Sequence, residues 1–230
     1  MTSSARSPWL AAFGVAAIAQ LALIVFRLPP LFAVVSTWLV APLLAMWVWR
    51  ARGPKLLILA LAMFWAGDVL GNPRLIGLGP GALFVSVAAY ATAGVLLIVV
   101  LARWGAIAAM RETGRRWRAG WGALILAAAA TALAISWSDL APALRAFGVA
   151  YLLIVVVVAT TAFVADLWAG LGATLLSASQ LLVVLEIGGR IDGTTSAFRL
   201  AYWVLYLLGL FTIAMRVVRL RAPEVSGRET

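Results

Sequence analysis

The chain has 230 residues, of which 65% are hydrophobic and 11% are charged, and its mean hydropathy is +1.07. Soluble domains are about half apolar and about a quarter charged, so this composition excludes a soluble globular protein. The net charge is +10, but the basic residues lie between apolar runs, which indicates membrane topology rather than nucleic-acid binding. The absence of Cys and His excludes disulfides, thiol chemistry, imidazole bases and the usual zinc ligands, and we expect neither a metal nor a cofactor.

Apolar runs long enough to cross a bilayer as a helix, about 20 residues, recur along the whole chain. The sequence therefore predicts an all-α fold: a polytopic membrane helical bundle that forms a single transmembrane domain over residues 1–230. Short breakers rich in Pro, Gly and Arg separate several runs, such as RLPP at Arg27 and RETGRRWR at Arg111. Eight transmembrane helices are predicted, at about residues 8–27, 31–49, 56–71, 79–102, 120–137, 143–165, 168–188 and 197–218.

The distribution of Lys and Arg predicts the orientation. With eight spans both termini lie on one side, and that side carries 13 of the 18 basic residues. The opposite loops carry the other five: Arg27, Arg74, Arg145, Arg190 and Arg199. Cytoplasmic loops are the ones enriched in Lys and Arg, so both termini are predicted to be cytoplasmic. AIA at residues 17–19 resembles a signal-peptide cleavage site, but the apolar run continues past it, so we predict an uncleaved first span.

A carboxylate lies inside the third predicted span, in the stretch FWAGDVLGN that begins at Phe64. Asp68 is 12 residues into this span, which is about 18 Å at about 1.5 Å per residue and therefore past the midplane. A charge there costs at least about 2.5–3.5 kcal/mol, so such residues face a bundle interior or a cavity. Two roles are open: a structural hydrogen bond to a neighbouring helix, or a catalytic acid or proton relay. Asn72, one helical turn later, either orients Asp68 or caps the helix end.

The seventh predicted span carries a second polar pair, Ser179 and Gln180, with Gln180 at the same predicted depth as Asp68. A spacing of four spans preserves helix direction, so we predict two parallel four-helix halves that each place a polar group at this level. We therefore expect Asp68 and Gln180 to line one cavity. The alternative is that Ser179 and Gln180 only hydrogen-bond between helices as packing contacts.

Glu186 follows on the same helix face, nearer the outer surface, and we predict an ion pair with Arg190 at i+4. Many of the 11 Trp residues lie near predicted span ends, as an interfacial belt requires, so we assign them no site.

Several segments resemble the lysoplasmalogenase-like, or YhhN-type, family of membrane proteins. WLVAPLLAMWVW, LALAMFWAGDVLG and GPGALFVSVAAY follow the family's order in spans two to four. GATLLSASQLLVVL is similar to its seventh helix and YLLGLFTIAM to its eighth. The match of Gly67 and Asp68 is the specific part, and the resemblance covers nearly the whole chain.

The resemblance implies an enzyme that hydrolyses the vinyl ether bond of lysoplasmalogens and releases a fatty aldehyde and a glycerophospho head group. Such hydrolysis begins with proton transfer to carbon, which gives an oxocarbenium ion that water captures. Removing a carboxyl group from water favours its neutral form, so a membrane-buried acid can supply this proton. A second carboxylate would stabilise the cation and activate water, as in glycosidases.

The chain departs from the family at three polar positions. Gln180 stands where the seventh helix has an aspartate after its serine, which Ser179 matches. A histidine common in the fourth helix is replaced by Ala88 or Ala89. In the eighth helix Tyr206 matches, but Leu210 replaces the glutamine four residues later.

Two functions are therefore expected from the sequence. The first is a lysoplasmalogenase-like hydrolase in which Asp68 and Gln180 are catalytic. The second is a catalytically impaired member that binds or transports a lipid or another amphiphile. In both, the partner is a lysophospholipid-like membrane lipid and not a nucleic acid, and we expect the protein in a bacterial inner (plasma) membrane. The candidate substrate-binding residues are Asn72, Ser179, Tyr206 and Glu186.

Overall fold

The computed structural model describes residues 7–27, 30–71, 81–111, 117–118 and 120–226. These residues form eight long helices and no strand. The fourth helix continues beyond Leu101 through a kinked turn, Ala102–Ala106, into a last helical segment, Ile107–Arg111. The helices are α1 (Pro8–Val25), α2 (Pro30–Arg50), α3 (Lys55–Leu70), α4 (Gly81–Leu101), α5 (Gly120–Ser136), α6 (Pro142–Ala165), α7 (Leu167–Ile187) and α8 (Ser196–Ser226).

The prediction of an all-α fold is confirmed for the described residues, and a helix lies at each of the eight predicted spans. Five helical segments are long and apolar enough to cross a membrane, and two shorter apolar helices lie at Val34–Arg50 and Gly120–Ser136. At most 50% of the most apolar window of any of the five is buried, so their remaining apolar side chains face outward. This exposure of apolar helix faces indicates an integral membrane protein. The crossing of the membrane by all eight helices stays a prediction.

A proline or a capping residue marks the start of α1, α6 and α7. Pro8 and Pro142 occupy the first turns of α1 and α6, where the missing N–H of proline costs no hydrogen bond. Asp166 is the single residue between α6 and α7 and caps α7 by accepting the Ala169 N–H at 2.9 Å.

Asp166 also links α8 to the junction between α6 and α7. Its two carboxylate oxygens accept hydrogen bonds from Nε and Nη2 of Arg216, at 2.9 and 2.8 Å. Partial burial raises the pKa of Asp166, but the hydrogen bonds from Arg216 and Ala169 outweigh this effect and the net pKa is below its ordinary value. Asp166 is therefore ionised at neutral pH, and the bidentate ion pair fixes the position of α8.

The kink after α4 depends on a glycine. Gly105 has φ +94°, in the left-handed region that side chains disfavour, and Trp104 before it is also non-helical. The kink turns Trp104 onto the hydrophobic core, which it contacts from the edge.

The helices pack mainly against their sequence neighbours, and α7 with α8 forms the most extensive contact. The first four helices contact one another in chain order, as do the last four. Contacts of α4 with α6, and of α8 with α1 and α2, join the two groups. The two parallel halves stay a prediction, since these contacts do not establish a repeat. The core includes the fully buried Tyr206, Phe163 and Leu44.

Candidate functional site

Asp68 lies in the last turn of α3 and is held by two tyrosines from other helices. The Tyr90 hydroxyl of α4 donates to Oδ1 of Asp68 at 2.5 Å. The Tyr206 hydroxyl of α8 donates to Oδ2 at 2.9 Å. Both carboxyl oxygens thus have a partner, and the side chain has a fixed orientation, as an acid–base group requires.

Gly67 makes this arrangement possible. A Cβ at position 67 would lie 2.9 Å from atoms of the Tyr90 ring, closer than carbon atoms approach without displacement. The Gly67 carbonyl also accepts a hydrogen bond from the Ser86 hydroxyl at 2.8 Å, which ties α4 to α3 one turn before Tyr90. The Gly67–Asp68 pair is therefore one unit: the glycine admits the ring whose hydroxyl binds the aspartate.

A second polar group lies on α7. Gln180 is buried, its Oε1 accepts from the Tyr151 hydroxyl of α6 at 2.8 Å, and its Nε2 donates to Oγ of Ser179 at 3.2 Å. Ser179 is also fully buried and donates to the Leu176 carbonyl at 2.7 Å. The amide of Gln180 is thus held by Tyr151 and by its own helix.

A cavity of about 210 Å³ lies beside Gln180 and reaches Tyr90, the partner of Asp68, but Asp68 itself does not line it. Tyr90, Tyr151, Gln180 and Tyr202 line it, and most of its other lining residues are apolar. It runs towards the helix ends at Gly71, Leu140 and Ile187.

Asp68 connects to this cavity through Tyr90. A smaller cavity of about 20 Å³ lies against Tyr90, Tyr151 and Gln180 and is bounded by Phe64.

All four tyrosines of the chain belong to this site. Tyr202 stacks on Tyr206 with ring centroids 5.8 Å apart and an interplanar angle of 14°. Tyr90 and Tyr206 bind Asp68, and Tyr151 binds Gln180. The site is therefore one carboxyl group and one amide set among four phenols at the edge of an apolar cavity.

The structure brings together Asp68 and Tyr206, and separately Ser179 and Gln180. Asp68 and Gln180 lie on helices that do not pack extensively against each other in the described structure. Gln180 lines both cavities and Asp68 lines neither, so the prediction that the two line one cavity is not confirmed; their partners Tyr90 and Tyr151 line both. Asn72 lies outside the described residues.

Glu186 does not belong to this group, and its predicted ion pair with Arg190 is wrong. The Arg190 guanidinium instead donates to Asp139 in the turn between α5 and α6, at 2.5 Å. The reason is that α7 ends at Ile187 and Gly189 has φ +67°, so the i+4 geometry of a helix no longer applies at Arg190. The carboxyl group of Glu186 lies against Gly193, at the outer rim.

Sequence reasoning missed Tyr90, Tyr151 and Tyr202. A signal was present in their positions. Tyrosine in membrane proteins is enriched at the two interfaces, yet all four tyrosines here lie inside predicted spans while many tryptophans lie at the span ends. A phenol buried within a span needs a hydrogen-bond partner, and Asp68 is the only acidic residue deep within a predicted span.

The described residues contain no group of three or more His, Cys, Asp or Glu side chains. The groups that the site does offer are a carboxyl group, phenols and an amide, which can transfer a proton, orient water and bind the polar part of an amphiphile.

Comparison with known proteins gives one result. The model of the YhhN family matches residues 32–217, which includes every described residue of the site. No curated protein and no solved structure matches the chain. Because the match extends over most of the chain, this protein belongs to the YhhN family.

Proposed function

We propose that this protein is a lysoplasmalogenase-like hydrolase that cleaves the vinyl ether bond of a lysophospholipid within the membrane. The observation that carries the proposal is the carboxyl group of Asp68, bound on both oxygens by Tyr90 and Tyr206, of which Tyr90 lines an apolar cavity. Membership of the YhhN family supports it, because the sequence resemblance to lysoplasmalogenase-like proteins implies this activity.

The reaction assigns Asp68 the role of general acid. Its proton passes to the vinyl carbon that is not bonded to oxygen. The ether oxygen and the vinyl carbon attached to it share the resulting positive charge. Water adds to that carbon and loses its proton to Asp68, and the hemiacetal collapses to a fatty aldehyde and the free glycerol hydroxyl. Positioned proton transfer contributes about 10²- to 10⁴-fold to a rate.

The cavity matches the reacting part of such a lipid better than the whole molecule. Pockets that enclose a drug-sized ligand measure about 300–1,000 Å³, and this one measures about 210 Å³. The vinyl ether and the first part of the chain would occupy it, with the remaining tail between the helices and surrounding lipid. In the predicted topology the cavity extends to the outer helix ends, near Leu140 and Ile187, so the head group would lie on that side.

Gln180 would position the attacking water through its amide. It carries no charge and cannot act as a base, so it does not replace the second carboxylate of a glycosidase-like pair. Tyr151 already binds its oxygen, which fixes the amide for this role.

The second candidate is a protein that binds or transports a lipid without hydrolysing it. The identity of Gln180 favours it, because none of the described residues that line the cavity carries a carboxyl group. The polar atoms of Gln180 are also engaged by Tyr151 and Ser179. In this case Asp68 and the tyrosines would serve to bind the polar part of the ligand.

The test is aldehyde release from a lysoplasmalogen by the purified full chain. Asp68→Asn keeps the shape of the side chain and removes its ionisable proton. We expect aldehyde release to fall at least about 100-fold, in line with the usual contribution of a general acid. Asp139→Asn, at an exposed carboxylate outside the cavity, should keep its activity. Activity that survives Asp68→Asn rules out the acid role.

Gln180→Asp separates the two functions. In a hydrolase it adds the second carboxylate and should raise turnover. In a binding protein it adds a buried acid, should produce no aldehyde and should weaken lipid retention. Lipid that copurifies with wild type, together with no aldehyde from wild type or Gln180→Asp, establishes the second candidate instead.

A further inference from the structure

A second cavity, of about 580 Å³, lies at the opposite end of the helices from the tyrosine site. The end of α2, the following loop, the start of α3 and the kinked turn after α4 form its walls. We call it the basic pocket; its lining includes Trp49, Arg52, Lys55, Leu56, Arg103 and Trp104. Lys55 begins α3 and Asp68 lies 13 residues later, so about 20 Å of helix separates this pocket from Asp68.

Cationic side chains from separate elements meet at this pocket. Three of its lining residues are cationic and none is acidic. Lys55 and Arg103 have no hydrogen bond or ion pair with any described side chain. Lys55 and Arg103 come from separate elements and repel each other, so an anion bound between them would be stabilised by both charges.

The backbone adds to this field and shapes the pocket. Lys55 stands at the first turn of α3, whose unpaired N–H groups carry partial positive charge. Arg52 has φ +54°, and Gly105 beside Trp104 has φ +94°. Two unusual turns therefore border the same cavity, one on each wall, and bring Arg52 and Arg103 to it.

The aromatic residues place the pocket at the level of lipid head groups. Trp49 is 56% exposed, and the Arg50 guanidinium lies 5.3 Å from its ring centre. Exposed Trp beside Arg is typical of a membrane–water interface. The predicted topology puts this end in the cytoplasm, where the leaflet is rich in anionic lipids and basic pockets between helices bind their head groups.

We propose that the basic pocket binds the phosphate group of an anionic ligand, with Lys55 and Arg103 as the principal contacts. The chemistry fits the phosphate of an anionic lipid of the inner leaflet and also a soluble phosphate compound. The site is separate from the tyrosine cavity and does not depend on the function proposed for it.

The experiment measures the thermal stability of the full chain in a neutral detergent during titration. The probes are dioctanoyl phosphatidylglycerol, dioctanoyl phosphatidylcholine and inorganic phosphate. A ligand that binds only the folded state raises the melting temperature in a saturable way. We expect this with phosphatidylglycerol and not with phosphatidylcholine, which has the same chains but no net charge. A saturable rise with inorganic phosphate alone would keep the site and assign it to a soluble phosphate compound.

Variants locate the site. Lys55→Gln and Arg103→Gln should each weaken apparent affinity at least about tenfold, while Arg103→Lys, which keeps the charge, should lose less. Arg111→Gln is the control: it removes one positive charge on the same predicted side of the membrane, but Arg111 does not line the pocket. The affinity of this variant for phosphatidylglycerol should stay within about twofold of wild type. The proposal is overturned if Arg111→Gln weakens binding as much as Arg103→Gln, if phosphatidylcholine stabilises equally, or if no anion stabilises the wild type.

Discussion

Two tyrosines bind the same carboxyl group but stand differently towards the cavity. Tyr90 lines both the larger and the smaller cavity. Tyr206 has 0% exposure and reaches Asp68 from the core. Tyr90 can therefore contact a substrate, whereas Tyr206 acts through Asp68 as a positioning residue.

This difference predicts distinct kinetics for two Tyr→Phe variants. Tyr206→Phe should lower kcat about ten- to hundredfold and leave KM unchanged, because it removes one hydrogen bond to a carboxyl group, worth about 1.5–3 kcal/mol. Tyr90→Phe should lower kcat and also change KM. The measurement is steady-state aldehyde release. Thr131→Val, which removes an exposed hydroxyl that bonds only its own helix, is the control, and a change of KM alone in Tyr206→Phe would contradict the positioning role.

At the residue scale the sequence located half of the site. Asp68 stood out because a carboxylate inside an apolar run is costly, and Tyr206 because it matched a family position. Tyr90 and Tyr151 did not stand out, because an aromatic ring inside a span is compatible with ordinary packing. Their function depends on which hydroxyl meets which partner across helices, and hydropathy carries no information on that.

At the scale of elements, the backbones of α7 and α8 pack closely against each other at Gly172 and Gly209. A Cβ at Gly209 would lie 2.7 Å from the Leu176 nitrogen and 2.9 Å from the Gly172 carbonyl oxygen. These are backbone atoms that cannot rotate away. Small residues let membrane helices pack closely, and here the contact holds Tyr206, one turn before Gly209, at its place beside Asp68.

Gly209→Val should therefore destabilise the protein and reduce activity together. Overpacking costs about 1–3 kcal/mol in well-packed cores, and displacement of α8 would lengthen the bond between Tyr206 and Asp68. Thermal unfolding in detergent measures the first effect and aldehyde release the second. The matched control is Gly14→Val in α1, where a Cβ would meet no heavy atom within 4 Å. Equal stability of the two variants would show that α7 and α8 are not in backbone contact.

Helix positions were predicted within one or two residues for most elements, because apolar runs bounded by Pro, Gly and Arg leave little choice in a membrane. The exceptions have physical reasons. The kinked turn at Gly105 and the helical segment after it lie beyond residue 102, the predicted end of the fourth span, and hydropathy carries no information on the positive φ that makes the kink. The eighth helix was predicted to end near residue 218 but continues to Ser226, because a helix need not stop where the apolar run stops.

At the scale of the whole molecule, the tyrosine cavity and the basic pocket lie at opposite ends of the helices. The tyrosine cavity extends to one set of helix ends, at Gly71, Leu140 and Ile187. The basic pocket lies at the other set, beside Lys55 and Arg103. If the topology is as predicted, a lipid enters the first from the outer leaflet while the second contacts the cytoplasmic leaflet.

The number of crossings decides whether this polarity holds. Helix α5, Gly120–Ser136, has 17 residues, which is about 25 Å at about 1.5 Å per residue against a hydrocarbon core of about 30 Å. It is short, but flanking side chains and local thinning of the bilayer accommodate a mismatch of this size. The same argument applies to α3, with 16 residues.

Reporter fusions distinguish eight crossings from fewer. With eight, four spans separate residue 115 from the C-terminus, and reporters at residues 115 and 230 should both score as cytoplasmic. If only the five longest apolar segments crossed, three spans would separate these positions and the reporters would lie on opposite sides. A third reporter after Thr194, between α7 and α8, should score as external.

We expect eight crossings because a five-span arrangement would leave α2, α3 and α5 outside the bilayer. Their apolar side chains, such as Leu39, Leu59 and Leu124, would then be exposed to water. Opposite sides for residues 115 and 230 would contradict the eight-span topology and the assignment of the basic pocket to the cytoplasmic leaflet that depends on it.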